Sequence, residues 1–487
     1  MIWERRKPRL TRRARFGALL ALFLTLALFA PGLSVPTDAP SRRAAQGKTE
    51  TPAPQAPDAQ SVIEGAAPTA QTEASQTVEA TDAQAAEAQT PTASAQTTDA
   101  EAPQTVEGNA QAVAEAFPAD AEGIPTPDNP SGRLPPRPAE QAAPRSKAET
   151  LLEGMSLREK VFQLFVVFPE QLTGKAPVTA AGDAVRQGLE RYPVGGVIFD
   201  RDSMKSKAQV RALLDDMQSM SRIPLLMTCD EEGGRVNRLM GAVGTPYVGA
   251  MLSYRDGGAE TAKANALKIA GGLTSCGFNM DLAPVADVWS NPDNKVIGNR
   301  AYSTDFQEAA ELIPAAVAGF HEGGVACTLK HFPGHGNTYE DSHNGLAKVY
   351  RTREQLENGE LKPFRVGIAA GADAVMVGHL VAGEIDAEPA TMSRVIVTDI
   401  LRGELGFAGV VMTDSLQMDA ISKNYTPGEA ALGALEAGID ILLCPDDLGW
   451  AAEAVLYAVE TGRLTEARID ESVLRVLNLK EAYGLLD

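Results

Sequence analysis

Cysteine, aromatic residues and, over one long stretch, positive charge are all scarce in this 487-residue chain. There are 4 cysteines, and Phe, Trp and Tyr together make up 5% of the sequence. The cysteines stand at 229, 276, 327 and 444, a spacing that does not fit a zinc cluster. Three of them sit in or at the end of apolar runs, so buried, reduced thiols are expected rather than a disulfide framework. No G-x-G-x-x-G follows the first apolar run, which speaks against a dinucleotide-binding open sheet. No H-E-x-x-H is present to suggest a helix-borne zinc site. The formal charge is −20, with 44 Lys and Arg against 64 Asp and Glu. Phosphate contacts require clustered basic residues, so nucleic acid is excluded as a partner. The same acidity opposes electrostatic docking of the folded part on anionic lipid.

What is present divides the chain into three parts. Residues 1–34 begin with a basic cluster, Arg5 to Arg15, followed by a nearly pure apolar run from Phe16 to Ala30. That run matches the apolar core of an export signal, about 7–15 residues, and is short of the roughly 20 needed to span a bilayer. No cysteine follows it, so no lipoprotein site is indicated. This segment is expected to be a signal peptide or an N-terminal membrane anchor, with an extracytoplasmic protein, secreted or tethered, as the consequence. Residues 35–147 are rich in Ala, Pro, Thr, Gln and Glu, with no Lys or Arg between Thr49 and Gly132 and Phe117 as the one aromatic. Such a composition cannot bury enough apolar surface to offset chain entropy, and a disordered linker is expected.

From residue 148 onward, apolar runs of strand length alternate with longer amphipathic stretches. The strand candidates are 163–168, 196–199, 225–229, 280–282, 326–330, 374–377, 410–413 and 439–443. Helical patterns cover 205–220, 260–276, 306–322, 353–370, 395–405, 429–437, 449–461 and 466–482. Continuous apolar runs mark strands buried on both faces. Eight of them, mostly separated by helices, predict an α/β fold: a single (β/α)8 TIM-type barrel. Barrel chemistry sits at the C-terminal strand ends. Those ends read Phe199-Asp200, Cys229-Asp230, Lys330-His331, Gly378-His379, Thr413-Asp414 and Cys444-Pro445. If the strands are right, these residues converge on one mouth.

Several groups of residues there could carry chemistry. Three of the 5 histidines, His331, His335 and His343, lie in one Gly- and Pro-containing loop. With Asp341 they could ligate zinc, or His343 could do acid/base work with Asp341, two residues away, fixing its tautomer. Asp414 directly follows a buried strand, which suits a nucleophile or an electrostatic stabiliser; a helix N-cap is the alternative. The run Asp230-Glu231-Glu232-Gly233-Gly234-Arg235-Val236-Asn237-Arg238 could grip sugar hydroxyls or be a surface ion-pair loop. Arg300 stands in another loop, Ile297-Gly298-Asn299-Arg300.

Taken together, these segments resemble glycoside hydrolase family 3, specifically its bacterial β-N-acetylglucosaminidase (β-N-acetylhexosaminidase) branch. The resemblance covers about residues 148–487. It rests, in order, on Gly195-Gly196-Val197-Ile198-Phe199, Asp230 to Arg238, Ile297 to Arg300, Lys330-His331-Phe332-Pro333-Gly334-His335-Gly336 with Asp341-Ser342-His343, Pro389-Ala390-Thr391-Met392-Ser393, and Gly409 to Asp414. The resemblance implies that Asp414 is the nucleophile forming a covalent glycosyl-enzyme. It implies His343 as general acid/base with Asp341 as its orienting partner, and Asp230, Arg238, Arg300, Lys330 and His331 as terminal-sugar ligands. A histidine acid/base departs from the usual pair of carboxylates. A neutral imidazole would not repel an anionic nucleophile such as phosphate, so phosphorolysis stands beside hydrolysis. Glu231 occupies a position where many members carry His or Gln. The chain ends soon after the expected barrel, which favours the N-acetylhexosaminidase branch over β-glucosidases with a second domain.

The expectation is therefore a retaining exo-β-N-acetylglucosaminidase acting on small glycans, N-acetylglucosamine-terminated cell-wall fragments, as a monomer and without metal or other cofactor. The alternatives are a β-glucosidase or N-acetylglucosaminide phosphorylase of the same family, a metallohydrolase, and a non-catalytic cell-wall glycan-binding protein.

Overall fold

The computed structural model describes residues 145–339 and 346–487. The expected export segment, nearly all of the linker, and both Asp341 and His343 lie outside the described residues.

Eight parallel strands make the barrel: β1 (Phe165–Val167), β2 (Gly196–Ile198), β3 (Leu226–Cys229), β4 (Met280–Asp281), β5 (Ala326–Phe332), β6 (Ala374–Val377), β7 (Val410–Thr413) and β8 (Leu442–Leu443). They pair in chain order, and β8 returns to pair with β1 through Phe165 opposite Leu442. The remaining seam, β7 to β8, is joined by Thr413 N–H donating to Ile441 O at 3.0 Å and Ile441 N–H to Val411 O at 3.0 Å. The expected eight-stranded barrel is thus what forms. Above its mouth a two-residue parallel pair links Ala347–Lys348 to Leu380–Val381.

Alternation along each strand separates two apolar layers. Val166, Ile198, Leu226, Met280, Ala326, Met376 and Met412 fill the barrel interior, and Val476 and Leu479 of the helix Glu466–Ala482 pack into the same cluster. The intervening residues, such as Val167, Val197, Met227, Leu329 and Val411, face the surrounding helices. All four cysteines are free and buried, as expected.

The structure corrects several element bounds. Gln163 is not strand: it ends the helix Leu157–Gln163, and its amide nitrogen donates to Pro193 O at 2.8 Å and Val194 O at 3.1 Å. The expected helix 353–370 breaks at Gly359 into Arg353–Asn358 and Leu361–Ala369. The stretch Val395–Glu404 winds as a π-helix. The expected last strand, 439–443, shortens because Asp440 is fully buried and accepts hydrogen bonds from a neighbouring strand and helix. Among the described residues no helix is long and apolar enough to cross a membrane.

Candidate active site

Residues leaving the C-terminal ends of β3, β5 and β7, with the loop after β4, build one buried electrostatic network. Lys330, at the end of β5, is 2% exposed, so its ammonium needs compensating charge. Its Nζ lies 2.7 Å from Asp230 Oδ1 and 2.7 Å from Glu232 Oε1. Glu232 also receives a two-pronged contact from Arg300, Nε to Oε2 and Nη2 to Oε1, each 2.8 Å. Burial alone would raise the Glu232 carboxyl, but Arg300 and Lys330 outweigh it and hold the group far below the usual carboxylate range. Asp230 is bridged on its other oxygen by Arg238 Nη2 at 3.3 Å, and Arg238 Nε reaches Asp200 at 2.8 Å.

The loops carrying these groups brace one another. Arg235 Nη2 donates to Lys295 O at 2.9 Å and Ile297 O at 3.2 Å, tying the β3 loop to the loop that presents Arg300. Glu231 is buried and turns away from the network. Its Oε2 accepts from the backbone N–H of Arg238 at 2.5 Å and Leu239 at 2.8 Å. Burial raises its carboxyl, against those hydrogen bonds. Glu231 therefore braces its own loop.

Next to Lys330, His331 Nδ1 donates to Asp287 Oδ2 at 2.6 Å. Its Nε2 lies 3.5 Å from Arg300 Nη2. The second Asp287 oxygen accepts from His335 N–H at 2.6 Å. Burial would raise Asp287, yet His331 and His335 bring it below its ordinary value. Burial lowers His335 to about 4, so its ring is neutral near pH 7. Each of these rings has its Nδ1 engaged, His331 by Asp287 and His335 by Thr338 Oγ1 at 2.9 Å. The loop passes so near the β4 loop that a Cβ on Gly336 would sit 1.7 Å from Val288 O, and only glycine is tolerated there.

Asp414 follows β7 directly. Its backbone N–H donates to Val377 O at 2.9 Å, which fixes the residue to β6, and its Oδ1 accepts from Ser415 N–H at 2.7 Å. It does not cap a helix: the next one, Asp419–Ser422, begins five residues on with Met418 at its N-cap. Burial opposes ionisation of Asp414, but His331, His379 and Lys330 together hold it below its ordinary value. His379 is wholly buried; its Nδ1 meets Thr391 Oγ1 at 3.1 Å and its Nε2 meets Ser415 O at 2.9 Å. The Pro389–Ser393 segment thereby steadies the backbone that carries Asp414.

Asp230, Arg238, Arg300, Lys330 and His331 thus share one network, and Asp414 lies within electrostatic reach of Lys330 and His331. Glu232, Asp287, His335 and His379 belong to the same assembly; the sequence pointed to Glu232 only within its run, to His335 only as a possible zinc ligand and to His379 only as a strand end, and it did not point to Asp287 at all. Glu232 stands two residues from Asp230, and His379 ends a strand candidate, so both carried a signal; Asp287 carried none. Among the described residues one other cluster has metal-ligating side chains, His321, Cys327 and Asp373. It adjoins the N-terminal ends of β5 and β6, away from this mouth.

Known proteins are similar to the chain in sequence and fold. The glycosyl hydrolase family 3 N-terminal domain model matches residues 156–479. Beta-hexosaminidase A of Pseudoalteromonas piscicida is 34% identical over 336 residues, which are 63% of this chain and 56% of that protein. A beta-hexosaminidase of Stenotrophomonas maltophilia is 37% identical over 290 residues, 58% of this chain and 85% of that protein. The solved structure of a family 3 β-N-acetylglucosaminidase from Paenibacillus sp. str. FPU-7 matches with TM-score 0.64 and 42% identity, covering 68% of this chain and 63% of that one. The chain therefore spans little more than half the length of the Pseudoalteromonas relative.

Proposed function

The chain belongs to glycosyl hydrolase family 3, and from that premise we propose that it is a retaining exo-β-N-acetylglucosaminidase. Its substrates in this reading are small glycans ending in β-linked N-acetylglucosamine, cell-wall fragments among them. The observation that carries the proposal is the buried, charge-balanced network of Asp230, Glu232, Lys330, Arg300 and His331 beside an ionised Asp414. Carboxylates and guanidinium or ammonium groups fixed in this way present directed acceptors and donors to the hydroxyls of one terminal sugar. In this reading a sugar held by them turns its anomeric carbon toward Asp414.

In the first displacement Asp414 attacks the anomeric carbon as His343 protonates the departing oxygen, giving a glycosyl-enzyme. In the second, His343 takes a proton from water, which attacks the same carbon and restores Asp414. Two inversions give net retention. Asp341 orients the His343 ring. The depressed Asp414 pKa keeps the nucleophile ionised through the whole neutral range. The carbon bears oxocarbenium-like positive charge in the transition state, and a fixed carboxylate at Asp414 stabilises it.

Initial rates on 4-nitrophenyl N-acetylglucosaminide and glucoside test the proposal, with His343→Ala alongside. The expected results are clear preference for the N-acetyl substrate and, in His343→Ala, a far greater loss with poor leaving groups than with activated aryl ones. Binding of N-acetylglucosamine without turnover of either substrate would overturn it in favour of a glycan-binding role. Glucoside preference would reassign the substrate.

A further inference from the structure

The N-terminal end of the barrel, opposite the sugar site, holds a second cleft of about 420 Å³. It lies where the π-helix Val395–Glu404 and the helix Pro427–Ala437 end and the helix Glu466–Ala482 begins. Five arginines line it: Arg394, Arg402, Arg463, Arg468 and Arg475. In a chain of net charge −20, such a concentration of guanidinium groups needs an account.

Internal pairing accounts for only part of it. Arg463 makes a two-pronged contact with Glu436 at 2.7 and 2.9 Å. Arg475 reaches Glu471 at 2.5 Å and the fully buried Asp440 at 3.0 Å, and Arg402 also pairs with Asp440. Arg468 makes no ion pair with a carboxylate among the described residues; its Nη2 donates to Ile439 O at 2.8 Å and its Nη1 to Ser472 Oγ at 2.5 Å. Arg394 is exposed and likewise forms no ion pair among the described residues. Five positive groups thus face three carboxylates, Glu436, Glu471 and Asp440. Burial lowers both Arg402 and Arg468; Asp440 opposes it at each, joined by Glu471 at Arg468, and the neighbouring arginines add a smaller lowering. The N-terminus of the 17-residue helix Glu466–Ala482 opens on the same space, adding its partial positive charge.

We propose that this cleft is a binding site for a polyvalent phosphate-class anion, such as a pyrophosphate or phosphate-ester group, separate from the sugar site. Guanidinium groups match phosphate oxygens bidentately, and a cleft with unpaired ones gains more from a multiply charged ligand than from a single carboxylate. The volume admits a ligand of small-metabolite size.

Calorimetric titration of the full chain with sodium pyrophosphate tests this, with sodium sulfate and with sodium chloride at equal ionic strength as comparisons. The expected result is one site for pyrophosphate, at least tenfold tighter than sulfate, with no signal from chloride. The double variant Arg394→Ala/Arg468→Ala should weaken pyrophosphate at least tenfold while leaving aryl-glycoside turnover unchanged. Pyrophosphate binding no tighter than sulfate, or equal affinity in the double variant, would overturn the proposal. If the double variant unfolds, Arg394→Gln alone, at an exposed position, supplies the reading: an affinity equal to the parent would count against the site.

Discussion

The two ends of the barrel are built from the same ingredients and put them to different use. At the N-terminal end, Asp440 is completely buried and takes Arg402, Arg475, Ser472 and the Val411 N–H. Asp373 takes His321, the Cys327 N–H and the Tyr483 hydroxyl. These bonds stitch strand starts to the helix that closes the barrel and to the residues just after it. At the C-terminal end, Asp230 and Glu232 share Lys330, and Glu232 also holds Arg300, but these groups come from separate strand ends and loops that meet around one mouth. A buried ion pair is therefore a poor marker of a functional site by itself. Convergence of charges from several strand ends is the better one, as the barrel architecture requires.

This contrast breaks or holds under substitution. Asp440→Ala removes one fully buried carboxylate and strands the partly buried guanidinium group of Arg402, while Arg475 keeps Glu471, so the expected loss is about 1–3 kcal/mol of stability. Chemical denaturation measures it, and the fraction that remains folded should turn over substrate at the parent rate. A large fall in kcat with little change in stability would mean that the lower end takes part in catalysis. Glu232→Gln keeps the shape of the mouth but removes the charge facing Lys330 and Arg300. The expected loss in kcat/KM is about 10- to 100-fold, from weakened charge-assisted hydrogen bonds. Parent-like kinetics would show that Glu232 acts only as scaffold.

A pH-dependent effect separates the lower end further. Lys480 is fully buried with Gln163 Oε1 at 2.7 Å, and burial lowers its ammonium to about 7. An unfolded lysine titrates near 10.4. Between those values the unfolded chain binds the extra proton, so this group penalises folding fully below pH 7 and ever less as the pH rises toward 10. Lys480→Met removes the penalty. Relative to the parent, the variant should therefore gain more stability, or lose less, at pH 6 than at pH 10, as followed by thermal unfolding at each pH. A difference independent of pH would show that Lys480 stays charged in the fold.

Much of this was legible in the sequence. The strands read clearly because parallel strands covered on both faces are continuous apolar runs, as in Val410–Met412 and Ala374–Val377. Bounds failed where apolarity served another element. Gln163, expected to open the first strand, ends a helix that runs almost without a break into Phe165, and Ile439 precedes Asp440, which anchors the lower end instead of extending β8. Asp230, Arg238, Arg300, Lys330 and His331 were named as sugar ligands through the family resemblance, on motifs that lie in loops and at strand ends. What spacing could not convey was orientation. Glu231 and Glu232 are neighbours of identical chemistry, both buried, yet one is consumed by backbone N–H groups and the other by Arg300 and Lys330. Asp287 had no visible link to His331 until the chain was folded.

In the proposed mechanism Asp414 forms a covalent bond with the sugar. The most direct measurement is intact and peptide mass spectrometry after reaction with a fluorinated N-acetylglucosaminyl donor whose glycosyl-enzyme turns over slowly. The account requires a mass increase of one sugar residue on the peptide containing Asp414, absent from Asp414→Ala. A label on another residue, or rapid turnover with inversion of the anomeric centre and no label, would contradict it.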